Sequence, residues 1–257
     1  MREENCSIRK TDEQAISASD TERAWPVQER HIYTQTNIQL YNQLCEIGFS
    51  SGELEKMRMA YDLAASLFAD KHRASGKPFT SHLVGTARIL AAYGATAPVV
   101  IADLLHAAYE QGDFSSFGKN SPAAGKVTAH QFVDEDVEVV ITRYTALQWN
   151  AEAIQTMLEG SPELLDKNRD VFIIRLANEL EDCLDYGLLY CSAQRREDGM
   201  HEVTKCIKLA HALRQPELAE EFNIAFARAR DTDVPPSLAG RRDRSYSLRP
   251  SSGKSGP

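Results

Sequence analysis

The chain has 257 residues, 42% of them hydrophobic and 26% charged, with 14 Gly and 10 Pro. That composition excludes collagen-like, disulfide-stapled and wholly disordered classes. Acidic residues outnumber basic ones 37 to 29, and the net charge of −8 works against bulk nucleic-acid binding, which runs on phosphate neutralisation by Lys and Arg.

Residues 1–34 are polar, with little apolar periodicity, and read as a disordered arm without the apolar core of a secretory signal. From 35 to 230 the chain reads as helix after helix. Asn37 opens a helix through Leu40, Leu44 and Ile47 that stops at Gly48. Ser51 opens the next, where Met57, Ala60, Leu63, Ala64 and Leu67 recur at the helical period. Phe79 to Tyr93 follows and ends at Gly94, and Thr96 with Pro98 starts a helix through Leu104 and Leu105 to Gly112. Residues 113–131 form a loop-rich insert. Val137 to Thr142 is β-branched enough for a strand, but Asp134, Glu135 and Asp136 before it fit the acidic first turn of a helix. Asn168 to Tyr186 is the most apolar helix, and Glu202 to Leu213 and Pro216 to Ala227 complete an all-α domain.

From 231 to 257 the chain is rich in Ser, Pro and Gly, with Arg241, Arg242, Arg244, Arg249 and Lys254 scattered through it. So little apolar surface cannot offset the entropy of ordering, which predicts a disordered basic tail. No apolar run approaches the roughly 20 residues needed to span a bilayer. The five cysteines are widely spaced and form no CxxC pair. Reduced thiols in a cytoplasmic protein are the simplest reading.

Two segments stand out for chemistry, 73–82 (RASGKPFTSH) and 104–112 (LLHAAYEQG). His82 falls early in one helix and His106 late in the next. Helices joined by a short turn can bring the two imidazoles together. Asp103, His106 and Glu110 are spaced i, i+3, i+7 and would share a helix face. Asp103 could orient His106 or supply a ligand, and Glu110 is the candidate catalytic carboxylate. A polar, solvent-facing stripe has the same spacing.

Arg73-Ala-Ser75-Gly76-x-Pro78-Phe79-x-x-His82, then Leu104-Leu105-His106, then Leu176-Ala177-Asn178, resembles the hydrolase half of RelA/SpoT-type alarmone enzymes and the small alarmone hydrolases. The likeness covers roughly residues 55 to 190. It implies an HD-domain helical bundle. In that family two His and two Asp hold one divalent metal, usually manganese, that activates water beside a pyrophosphate. A family of HD-like domains without an assigned activity is similar in the altered form seen here. Carried over position by position, the resemblance names His82, His106 and Asn178 as metal positions and puts Glu110 where the family has the Glu of a Glu-Asp pair, while Gln111 replaces the Asp. It also places Arg73 beside a nucleotide base, where a guanidinium can stack. Ser75 would sit in the same turn, and Lys77 could meet a phosphate as a point charge.

The departures fall on the working residues. The Asp after the second family His is Ala107, and the third motif's Asp is Asn178, so two anionic ligands suited to Mn²⁺ are gone. Glu179, Glu181 and Asp182 stand where the family shows Arg, a variable residue and Asn, and acid there repels a polyanion. Three readings follow. One is an HD-type domain with impaired catalysis, binding a small ligand such as a nucleotide, or a protein partner, in a regulatory or accessory role. Another is a metal-dependent phosphohydrolase with a rebuilt site using His82, His106, Asp103 and Glu110. The third is an interaction module tethered by its tail.

Overall fold

A computed structural model describes residues 34–114 and 133–248. Most of the 1–34 arm, nearly all of the 113–131 insert and the end of the tail, with Arg249 and Lys254, lie outside the described residues. Two capping boxes start the bundle. Thr36 with Gln39 caps α1 (Asn37–Ile47), and Ser50 with Glu53 caps α2 (Ser51–Leu67), each one residue before the position the sequence suggests. Gly48 ends α1 with φ +104°, a left-handed conformation that favours glycine.

After the two-residue strand β1 (Lys71–His72), the chain turns into α3 (Phe79–Ala92) and α4 (Ala97–Leu104). The helix expected from Thr96 to Gly112 is broken. Leu105 to Ala107 form a turn, and only Ala108–Gln111 resumes as α5. The acid-led segment is helical throughout, giving α6 (Glu135–Ala146) rather than a strand. The short helices α7 (Ala151–Leu158) and α8 (Pro162–Lys167), not expected from the sequence, are capped by Asn150 and Ser161. They are followed by α9 (Arg169–Leu184), α10 (Ala193–Ala212) and α11 (Pro216–Arg230). The start of α10 lies nine residues before the expected one, capped by Ser192.

Helices α3 and α9 form the middle of the bundle. They pack on each other, α3 also meets α1 and α4, and α9 also meets α6, α10 and α11. Their faces explain this. Leu83, Val84, Ala87 and Leu90 of α3, and Ile174, Leu176, Ala177 and Leu180 of α9, are almost wholly buried. None of the described helices is long and apolar enough to cross a membrane.

The expected disordered tail differs from what is found over residues 231–248. There the chain returns to the domain, and β2 (Tyr246–Ser247) pairs antiparallel with β1, with His72 opposite Tyr246. Polar backbone bonding, not apolar burial, holds it, which is why composition gave no sign. Ser192 N–H donates to the Arg242 carbonyl at 3.1 Å, and Leu248 N–H to that of Asp70 at 3.0 Å.

Phe222 on α11 is fully buried in this core. Phe222→Ala is expected to cost about 3–5 kcal/mol in urea unfolding, the usual cost of emptying an aromatic site in a packed core.

Candidate functional site

His82 lies in the first turn of α3, buried completely. Its Nδ1 donates to Glu181 Oε2 at 2.6 Å, and its Nε2 meets Asn178 Oδ1 at 2.9 Å. The amide of Asn178 is oriented by its own helix. Nδ2 donates to the Ile174 carbonyl at 3.0 Å, which turns Oδ1 toward the imidazole. Glu181 stands one turn further along α9 and also takes Lys77. Each nitrogen of His82 is therefore committed to a hydrogen bond within the protein.

The second imidazole is close by. The rings of His82 and His106 have centroids 6.2 Å apart at 77°. His106 occupies the turn after α4, and its Nδ1 donates to the Asp103 carbonyl oxygen at 2.6 Å. Burial drives its pKa down, against the pull of Asp103, so it is a neutral ring with its lone pair on Nε2. The Asp103 carboxylate is buried behind it. The Thr86 hydroxyl donates to Oδ2 at 2.6 Å, while Oδ1 has no hydrogen-bond partner and lies 3.5 Å from His106 Nδ1. Tyr144 of α6 stands 4.7 Å from the His106 ring, and the Arg175 guanidinium lies 3.8 Å over the Tyr144 ring.

The structure thus brings His82, His106, Asp103 and Asn178 together, but not as four cation ligands. Ala107 offers no donor, Asn178 spends its oxygen on His82, and both nitrogens of His82 are taken. The lone pair of His106 and one oxygen of Asp103 are left, and this set does not fit the divalent metal that the resemblance implies. Among the described residues the closest metal-like grouping is another one. His82, Glu181 and Asp182 present ligand atoms within 4.8 Å of one another. The protein's own cations already occupy that acidic face. Arg73 Nη2 pairs with Asp182 at 2.6 Å, and Lys77 pairs with both Glu181 and Asp185.

Lys77, expected as a phosphate contact, makes internal ion pairs with Glu181 and Asp185, its ammonium turned to α9. Glu110, the candidate catalytic carboxylate, stands elsewhere. The break after α4 takes it off the Asp103–His106 face, and it is exposed on the rim of a separate cavity. That cavity, about 410 Å³, is lined by Lys71, Arg73 and Ser75 from the turn, by Arg195 of α10 and by Arg244 and Tyr246 of the tail. Neither histidine lines it. Asp182 forms part of its wall, 3.6 Å from Arg195, which also reaches Glu179 at 3.6 Å. Burial pushes the Asp182 carboxyl up, but Arg73, His82 and Arg195 outweigh it and hold the group at about 2. The acids after Asn178 are thus neutralised within the fold. Sequence reasoning missed Glu181 as the partner of His82, although its i+3 spacing from Asn178 was visible. It also missed Arg195, which no local signal marks.

Gly85 makes the His82–Glu181 contact possible. A Cβ there would lie 2.9 Å from Glu181 Cγ and Oε1. Gly85→Ala is expected to destabilise by about 1 kcal/mol or more, although alanine is ordinarily the better helix former. Thermal unfolding beside a Glu181→Ala background reads the effect, which should shrink there. The lowered carboxyl of Asp182 stabilises the fold fully above pH 3.8 and loses that contribution as pH falls through about 2. Urea unfolding between pH 5 and 2 should show an acid loss of about 2 kcal/mol from this group, absent in Asp182→Asn.

Residues 60–181 match the family model described as an HD domain. No curated protein matches the chain. Among solved structures, one from the study "A metazoan ortholog of SpoT hydrolyzes ppGpp and plays a role in starvation responses" is similar over 67% of this chain and 94% of the other. Its identity to this chain is 17% and its TM-score 0.48. The Arg73–His82 and Leu104–His106 motifs both fall within the segment that matches the HD-domain model.

Proposed function

We propose that this chain is an HD-type domain that does not hydrolyse phosphate through a bound metal, but holds a small anionic ligand, a nucleotide or its phosphate part, in the cavity over Arg73. One observation carries the reading. His82 Nδ1 and Nε2 are closed by Glu181 and Asn178 at 2.6 and 2.9 Å, while a cationic cavity stays open beside them. A ring nitrogen engaged in a hydrogen bond cannot at the same time give its lone pair to a metal ion. Without the metal there is no activated water, and the remaining chemistry is binding.

Arg73 suits that role. Its guanidinium lies at the cavity wall with one nitrogen on Asp182, and a planar fork has further N–H groups for a phosphate or for stacking. Ser75 lines the same cavity, so of the three ligand-binding candidates Arg73 and Ser75 are kept and Lys77 is dropped. A rebuilt metal site is the second reading, favoured by the convergence of His82, Glu181 and Asp182. It requires a cation to displace both Lys77 and Arg73 from those carboxylates.

Calorimetric titration with MnCl₂ separates the two readings. The expected result is no stoichiometric binding and no Mn²⁺-dependent release of pyrophosphate or phosphate from guanosine nucleotides. Near-stoichiometric Mn²⁺, lost in His82→Ala, would overturn the proposal. Arg73→Lys keeps the charge facing Asp182 but removes the fork, and should weaken binding of a nucleoside diphosphate by about tenfold with little change in melting temperature.

A further inference from the structure

The cavity is not built by the HD domain alone. Its outer wall comes from residues 243–246, far beyond the matched segment 60–181. This strap is fastened at three places. Ser192, the N-cap of α10, receives it through its N–H on the Arg242 carbonyl and its hydroxyl on Asp243. The β1–β2 pair and Leu248 N–H on Asp70 hold the far end. Between them the Tyr246 ring lies 5.4 Å from that of His72, at 24°, with the Arg242 guanidinium 3.8 Å over it.

These ties leave Arg244 in a particular position. It lines the cavity opposite the Arg73 turn, is exposed, and pairs with no carboxylate among the described residues. Lys71 also lines the cavity without an ion pair among them. Arg73 and Arg195, by contrast, are engaged with Asp182. The cavity thus offers two partly engaged guanidiniums on its domain side and a free one on the strap. A phosphoryl group between them can take charge-assisted hydrogen bonds from both sides.

Resting on the anion-binding reading above, we propose that residues 240–248 are a clamp for a phosphorylated ligand and that Arg244 is one of its binding residues. The strap is suited to opening. A two-stranded ribbon is marginal by itself, and this one is held by a few hydrogen bonds and surface ring contacts rather than by core burial. A ligand that bridges strap and domain must favour the closed form, by the reciprocity of linked equilibria.

The probe is inorganic pyrophosphate, with a nucleoside diphosphate in parallel, titrated into the full chain and into three variants. Gly240→Ala dislodges the strap without altering charge, because a Cβ there would lie 1.7 Å from the Tyr190 carbonyl oxygen. Arg244→Gln removes one cation, and Arg73→Lys tests the domain side. We expect pyrophosphate binding to weaken about tenfold or more in both strap variants, and hydrogen exchange at the Tyr246 and Leu248 amides to slow when pyrophosphate is added to the wild-type chain. Tighter binding in the nucleoside diphosphate arm alone would place the base, and not only the phosphate, under the clamp. If Arg73→Lys weakens binding while Gly240→Ala and Arg244→Gln bind as wild type, the clamp is overturned and the anion site stands. If Gly240→Ala binds more tightly, the strap is a plug and the clamp is likewise overturned. If the wild-type chain binds neither probe, both proposals fall.

Discussion

The contact of His82 with α9 is the constraint on which the site depends. A buried imidazole needs both nitrogens satisfied, and an incompletely satisfied polar network in a core costs more than an apolar one. Two residues of α9 meet that need, and each is fixed from behind. Ile174 orients the Asn178 amide, and Lys77 holds the far side of Glu181. Gly85 leaves the room for Glu181 to arrive. The register of α3 against α9 is therefore set by polar geometry as well as by apolar packing.

That register also positions the turn in front of α3. Gly76, with φ +94°, lets the chain reverse, and Arg73 N–H donates to the Lys77 carbonyl at 2.8 Å. Lys77 then reaches Glu181 and Asp185 while Arg73 reaches Asp182, so one face of α9 fixes both ends of the turn. Buried ion pairs of this kind add little net stability, since desolvation offsets most of the attraction, but removing one partner strands the other. Their effect is on geometry. They place Arg73 at the edge of the cavity and put internal cations on carboxylates that could otherwise gather a metal ion.

Much of this was legible in the sequence, and the failures have physical causes. Apolar periodicity marks α2, α3 and α9, and the short connection between α3 and α4 does bring His82 and His106 within ring contact. The substitutions Ala107 and Asn178 are plain as letters. What cannot be read locally is pairing. Glu181 and Asp182 look like repulsive acids until Lys77, Arg73 and Arg195 are seen folded against them. Glu110 shares a face with His106 only if the helix is continuous, and the turn at Leu105 to Ala107 breaks that geometry. The tail misleads for another reason. Composition measures the apolar surface available for burial, and residues 231–248 dock through backbone hydrogen bonds and ring contacts that composition does not register.

The separation of the histidines from the cavity has a consequence for chemistry. In a hydrolytic site the ion and the ligand must share one space, because the activated water has to reach the scissile bond. Here the imidazoles are sealed in the core, and the open space is walled by Arg73, Arg195 and Arg244 instead. Two of these three arginines lie outside residues 60–181. Function resides in sites added to a fold more than in the fold itself, and elements after the matched segment supply two of the cavity's four cations, Arg195 and Arg244, beside Lys71 and Arg73. Of the three carboxylates in its lining, Asp182 is committed to Arg73 and Arg195, Asp243 takes the Ser192 hydroxyl and Glu110 stands exposed on the rim, which leaves Arg244 and Lys71 as the cations without an ion pair among the described residues.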